Sequence, residues 1–279
     1  MSQERTITKV VPGQPTSDGA GVKLTRMIGT GQLDHLDPFL LLDCFESDQP
    51  DDYLAGFPSH PHRGFETVTY ILNGRMRHKD NQGHEGVIEE GGIQWMTAGR
   101  GVVHSEMPEQ KEGLLKGFQL WVNLPAKDKM SQPHYQEHSS DEIPCDIDEN
   151  GNIIRVIAGQ SAKGTQGPIQ TEQTQASYFD ISLVAEKSVS LPIPVEHVGF
   201  VYTISGDVTV VGSEHQVKAY QLGVLSEGSQ LTLQAKTDSR VLVITGKPLR
   251  EPIAWGGPFV MNTREEVYQA FEDFRANRF

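Results

Sequence analysis

The chain has 279 residues, 37% hydrophobic and 22% charged, with a formal net charge of −13. That length suits two domains of ordinary size, each able to bury a core. The acidic balance argues against direct nucleic-acid binding, which needs lysine and arginine to replace counterions, and against docking on anionic lipid.

In chain order, residues 5–11 are rich in β-branched side chains and read as a strand. Pro12 to Gly21 reads as a turn-rich loop, and Val22 to Ile28 as a second strand. The run Phe39-Leu-Leu-Leu-Asp-Cys-Phe45 reads as a strand buried on both faces. His60 and His62 follow within Phe57-Pro-Ser-His-Pro-His62. Thr67 to Leu72 is a strand ending at Asn73-Gly74, a strong signal for a type I′ hairpin back to Arg75–Lys79. Ile93 to Thr97, the tight loop Ala98-Gly-Arg-Gly101, His104 and Glu106, and the strand Gly117–Asn123 complete the first half. Short strands broken by glycine turns point to an antiparallel β-barrel or sandwich.

Residues 136–152 are polar and acidic and read as a linker between residues 1–135 and residues 153–279. The second half repeats the first. Tyr70-Ile-Leu-Asn-Gly74 sits on Tyr202-Thr-Ile-Ser-Gly206, and Gly92 matches Gly223. On that alignment His60, His62 and Glu66 fall on Pro192, Pro194 and Val198, while His104 and Glu106 fall on Ala235 and Thr237. The second copy keeps the strands and lacks the ligands. The chain ends in a helix opened by the capping box Thr263-Arg-Glu-Glu266, with Val267, Ala270, Phe271 and Phe274 on one apolar stripe.

Cys44 and Cys145 are too few for a disulfide framework and read as free thiols. The first sixteen residues lack a signal-peptide core, and no run approaches the ~20 apolar residues of a membrane span. The expected location is the cytoplasm.

His60 and His62 stand at i and i+2, as do His104 and Glu106. Side chains two apart on a strand share a face, so each pair can aim both groups into one barrel. Three imidazoles and a carboxylate suit iron, manganese, cobalt, nickel, copper or zinc, and leave coordination positions open for chemistry. Glu66, on the even-numbered face with the first pair, reads as a fifth ligand, as a partner that orients those histidines from behind, or as an ordinary polar residue at the rim, the second reading being favoured. His78 and His84 flank a hairpin and are expected in solvent.

The segments His60-Pro-His-Arg-Gly-Phe-Glu-Thr-Val-Thr-Tyr70 and Trp95-Met-Thr-Ala-Gly-Arg-Gly-Val-Val-His-Ser-Glu-Met-Pro108 closely resemble the pirin family of the cupin superfamily. Asp37–Asp43 and Gly257–Thr263 extend the likeness over most of the chain. The resemblance implies an all-β bicupin, two cupin-type barrels with one divalent metal, iron first among the candidates, held in the N-terminal barrel. It implies His60, His62, His104 and Glu106 as the ligands, Glu106 replacing the glutamate at position 66 that the general cupin pattern would use. Some pirins cleave flavonols such as quercetin with O2, and Glu106 would then also act as general base. Others are described as partners of transcription factors or metabolic enzymes, so the alternative is a metal- or redox-sensing binding module. The substrate expected is a small aromatic, with O2, acted on by a monomer.

Overall fold

Alternating apolar and polar residues become antiparallel strands throughout the computed structural model, which describes residues 3–279. The chain forms two compact units. One comprises Gln14–Thr30, Phe39–Ser140 and Leu249–Phe279 and carries all four candidate ligands; it is termed the histidine barrel. The other comprises the residues up to Gly13, Gly31–Pro38 and Asp141–Pro248, and is termed the apolar barrel.

The histidine barrel is made of two facing sheets. The larger runs in the order His134–His138, Ile93–Thr97, Phe65–Asn73, Leu115–Asn123, Phe39–Ser47, Val22–Ile28, Gln14–Asp18. The smaller runs Phe57–His62, Val102–Pro108, Met76–Asp80, Glu85–Ile88. The apolar barrel repeats this pattern, with a seven-stranded sheet and a four-stranded one. Tyr70 and Tyr202 are both buried, and Gly74 and Gly206 both take left-handed φ, at 85° and 81°, as the internal repeat requires.

The units do not divide the chain at one linker. The strand Ile7–Pro12 pairs with Gln221–Leu225 and completes the large sheet of the apolar barrel. In the histidine barrel the matching edge is filled by His134–His138, paired with Ile93–Thr97. An edge strand leaves unpaired backbone groups, so each sheet recruits a segment that can reach it, the N-terminal strand in one barrel and a mid-chain strand in the other. Residues 136–152 are accordingly not a free linker: they contain the end of His134–His138 and the strand Cys145–Ile147. The C-terminal segment, read as part of the second domain, belongs to the histidine barrel.

Two local expectations are corrected. Gln14–Asp18, read as loop, is an exposed edge strand on Val22–Ile28. Asn73-Gly74 does not close a hairpin, because Phe65–Asn73 and Met76–Asp80 belong to different sheets. Gly74 instead turns the chain between sheets at a point where a Cβ would meet Gln110 Oε1 at 2.2 Å. The capping box forms as expected, and Val267 and Ala270 are buried, but Phe274 stays 36% exposed.

The N-terminal strand is pinned by Arg5, only 1% exposed, which donates to the carbonyls of Gly228 (2.9 Å), Ser226 (3.1 Å) and Pro194 (2.8 Å). Arg5→Ala leaves these acceptors without their donor. The expected loss is ~3 kcal/mol, read by denaturant unfolding, with amide exchange rising first in Ile7–Pro12 and Gln221–Leu225. Unchanged protection in both strands would refute this account.

Candidate metal centre

His60 and His62 end one strand of the small sheet and His104 lies on its neighbour, directly opposite His60 in the register. The alternation of the pleat turns all three into the barrel, as the spacing predicted. Their ring centroids are 4.5 Å (60–104), 4.6 Å (60–62) and 5.0 Å (62–104) apart. One ligand nitrogen from each lies within 4.8 Å of the others, a group that could hold a metal ion.

The protonation pattern follows from the surroundings. His60 Nδ1 lies 2.8 Å from the Pro58 carbonyl. A carbonyl can only accept, so Nδ1 carries the proton and Nε2 is left for another partner. That Nε2 faces His62 Nε2 at 3.0 Å. Burial pushes His62 well below the ordinary histidine range, and the neighbouring imidazoles add to it. Burial likewise lowers His104, to about 4, although the Glu106 charge pulls it back upward. Unprotonated imidazole is the form a metal binds. His62 Nδ1 and both ring nitrogens of His104 are buried without a protein hydrogen-bond partner. Each such orphan costs ~1–3 kcal/mol, and a cation among these nitrogens would remove part of that cost. The donor set therefore fits a metal ion.

Glu106 is buried on the same strand face as His104, but it is not one of the grouped ligands. Its two oxygens are already engaged: Thr69 Oγ1 donates to Oε1 at 2.8 Å and Gln119 Nε2 to Oε2 at 2.7 Å. The pairing shifts by one residue between His104–His60 and Glu106–Phe57. Such an irregularity re-aims a side chain, and here the carboxylate reaches across to the large sheet.

Glu66 does not support the histidines. Gly64, at φ 89°, breaks the strand, and Phe65–Asn73 restarts in the other sheet. The even-numbered face before the break is therefore not the even-numbered face after it. Thr69 points to Glu106, so Glu66, three positions away, lies on the opposite face, where it accepts from Thr97 Oγ1 at 2.7 Å. Burial there raises its carboxyl above the usual range. His84 is exposed as expected, whereas His78 is 3% exposed, with Nε2 2.8 Å from Glu137 Oε2.

Residues not anticipated from the sequence complete the site. Arg26, Asp43, Gln119, Thr69, Gln94 and Glu137 follow one another across the large sheet as direct register partners. This polar belt crosses strands otherwise rich in apolar residues. A cavity of about 340 Å³ lies against it, walled by His60, His62, Gln119, Asp43, Trp121, Leu41 and Phe57 and by the turn Asp18–Ala20. Arg26 fixes one side by a paired contact to Asp43, at 2.8 and 2.7 Å.

The C-terminal segment holds the loops beside the ligands. Arg63, next to His62 and 3% exposed, pairs with Asp273 on the C-terminal helix at 2.7 Å, donates to the Arg100 carbonyl, and stands 4.3 Å from the Phe279 ring. Lys129 Nζ donates to Gly64 O (2.7 Å), Asn123 Oδ1 (2.6 Å) and Val260 O (3.0 Å). Burial lowers Lys129 to about 8.

Family models match two stretches: Pirin at residues 21–122 and the Pirin C-terminal cupin domain at residues 178–279. A pirin-like protein of Caulobacter vibrioides is 54% identical over 275 residues, covering 99% of each chain. The pirin of Homo sapiens is 44% identical over 280 residues, covering 99% of this chain and 94% of its own. A solved structure of quercetin 2,3-dioxygenase from Acinetobacter baumannii is 36% identical, with a TM-score of 0.91, covering 99% of this chain and 98% of that one.

Two measurements test the site's construction. Gln119→Leu leaves Glu106 Oε2 buried without its donor, and Thr69→Val does the same to Oε1. Each is expected to cost ~2 kcal/mol by denaturant unfolding, and purely additive losses in the double variant would contradict the shared carboxylate. Asp273→Asn is expected to cost ~3 kcal/mol, since it leaves Arg63 buried and unpaired. Burial opposes ionisation of Asp273, yet hydrogen bonds from Arg63, Gln269 and Arg278 hold it down at about 2. Its contribution is therefore complete above the unfolded value, 3.8, and is lost as pH falls through about 2. The asparagine variant should lack that acid-range loss, and an identical pH–stability curve would count against the pair.

Proposed function

The chain belongs to the pirin family of the cupin superfamily, and from that membership we propose that it is a metal-dependent dioxygenase acting on flavonols of the quercetin type. The observation that carries this reading is the histidine triad, half-buried at His60 and buried at His62 and His104, of which His60 and His62 line a cavity of about 340 Å³. That volume is in the range of small-molecule sites, ~300–1,000 Å³.

His60, His62 and His104 would hold one divalent ion, iron first among the nitrogen-and-oxygen-loving metals. When bound, the ion supplies Lewis acidity to an enol oxygen of the substrate. Trp121, Leu41 and Phe57 offer a flat apolar wall to the aromatic rings. Glu106 accepts the enol proton as general base, and its negative charge offsets the cation. Each of its oxygens accepts one hydrogen bond, from Thr69 or from Gln119, and keeps a second lone pair with which it could serve as a fourth ligand. Those donors keep the carboxylate inside the barrel. Burial keeps His62 and His104 free of competing protons at neutral pH.

Purified protein reloaded with ferrous iron should consume O2 and bleach the flavonol band of quercetin. His62→Ala should lower ion affinity beyond the ~10–100-fold that loss of a merely supporting residue costs, and abolish turnover with it. Absence of oxygen uptake with every first-row divalent ion, in protein shown to contain the ion, would end the dioxygenase reading.

A further inference from the structure

The histidine barrel carries a line of aromatic rings that runs on from the cavity wall at Trp121 to Trp255, which the proposed reaction does not use. The His62 ring lies 5.1 Å from Trp121, edge on at 73°. Trp121 stacks on Trp255 with centroids 5.6 Å apart and planes at 27°. Phe65 packs on Trp121 at 4.3 Å and holds it in place. Exposure rises along the line, from 3% at His62 through a half-buried Trp121 to 40% at Trp255. The Trp255 indole is fixed by its own hydrogen bond, Nε1 donating to Gly257 O at 2.9 Å. Its outer side opens on a groove of about 270 Å³ that includes Tyr268 and Phe271.

Ring pairs at 4.5–7 Å are ordinary packing distances, and at Trp121, whose indole N–H has no hydrogen-bond partner, packing alone would be served as well by phenylalanine. Indole differs from phenylalanine in being readily oxidised by one electron. Electron tunnelling falls off exponentially with the gap, so two ring-to-ring steps outpace one long jump from the surface to His62.

We propose that Trp121 and Trp255 carry single electrons between the surface and the ion held at His62, with a soluble one-electron reductant meeting the line at Trp255. This inference rests on the reading of His60, His62 and His104 as ion ligands. An oxidising equivalent stranded at the site draws one electron from Trp121. Trp255 refills Trp121, and the reductant, of the thiolate or enediolate class, refills Trp255. The reductant loses one electron, the site gains one, both indoles return to their starting state, and no bond forms or breaks. The line thus discharges an oxidising equivalent that finds no substrate.

A conductor works in both directions, so the test injects the charge from outside. Photo-oxidised tris(bipyridine)ruthenium, too bulky for the cavity, is flashed with ferrous-loaded protein. Formation of the ferric electron-paramagnetic signal is followed beside the transient absorbance of the indole radical. Trp255→Phe keeps the stacked ring and removes the oxidisable one. It is expected to slow ferric formation about tenfold, while Trp255→Tyr restores most of the rate. Iron content and the slow oxidation by dissolved O2 should not change in either variant. In iron-free protein the charge has nowhere to go, and oxidation products should collect on Trp255, as read by peptide mass spectrometry. Equal ferric rates in wild type and Trp255→Phe, at equal iron content, would overturn the conduit and leave the metal site standing. Wild-type protein that holds no iron would overturn the site reading, and the conduit with it.

Discussion

Two imidazole nitrogens held 3.0 Å apart inside a barrel set the terms for everything around them. His60 Nε2 is already deprived of its proton by the Pro58 carbonyl, so only one shared hydrogen or a cation can relieve the meeting of lone pairs. Burial denies His62 and His104 the easy relief of protonation. Solvent cannot supply it cheaply either, because the barrel walls close over both rings. A site of this kind persists only if the strands carrying it are held more firmly than the nitrogens repel.

The two barrels show what that demands. Both build a seven-stranded sheet against a four-stranded one, so the backbone plan does not decide what the interior does. In the apolar barrel the central inward row reads Val156, Phe179, Val243 and Val201, all buried and packed on one another. In the histidine barrel a row across the same kind of sheet reads Asp43, Gln119, Thr69 and Gln94. The first interior is closed by hydrophobic burial. The second must satisfy every polar atom with another, since a half-satisfied buried network is worse than an apolar one. Glu106 is the member that ties the two sheets together, through Thr69 and Gln119.

Much of this was legible in the sequence, because period-two alternation is local. The strands Val22–Ile28, Ile93–Thr97 and Ile153–Ala158, the capping box at Thr263, and the convergence of His60, His62 and His104 all follow from spacing alone. Loss of the histidines in the second copy was visible, but not in register: with Gly206 set on Gly74, the strand pairings bring the buried Leu191, Leu231 and Leu233 to the places of His60, His104 and Glu106, where the sequence alignment puts Pro192, Ala235 and Thr237. Glu66 was misplaced because parity was carried through Gly64, whose left-handed backbone resets the face. The polar belt escaped notice because its members are single polar residues from six strands, and only register brings them side by side. The exchange of chain ends was hidden for the same reason. Nothing local in Ile7–Pro12 says that its partner is Gln221–Leu225.

The loops flanking the ligands raise a last physical point. His62 is followed at once by Arg63 and Gly64, and neither is held by its own strand. Gly64 can sit where it does only without a side chain, since a Cβ would lie 2.0 Å from Val260 O. Its carbonyl and that of Val260 share the ammonium of Lys129, which burial has lowered to about 8. A cation with only neutral acceptors around it is costly to bury, and such a cost is tolerated where geometry must be fixed from three directions at once. Val260 N closes the loop by donating to Arg63 O at 3.1 Å. The C-terminal segment therefore acts on the centre from its backbone: the Pro258 carbonyl acts on the His62 ring, favouring its protonated form, and Val260 fixes the turn from one sheet to the other at Gly64, two residues beyond His62. Where the His62 imidazole points is thus fixed in part from the C-terminal segment, and not only by the strand that bears the His60–His62 pair.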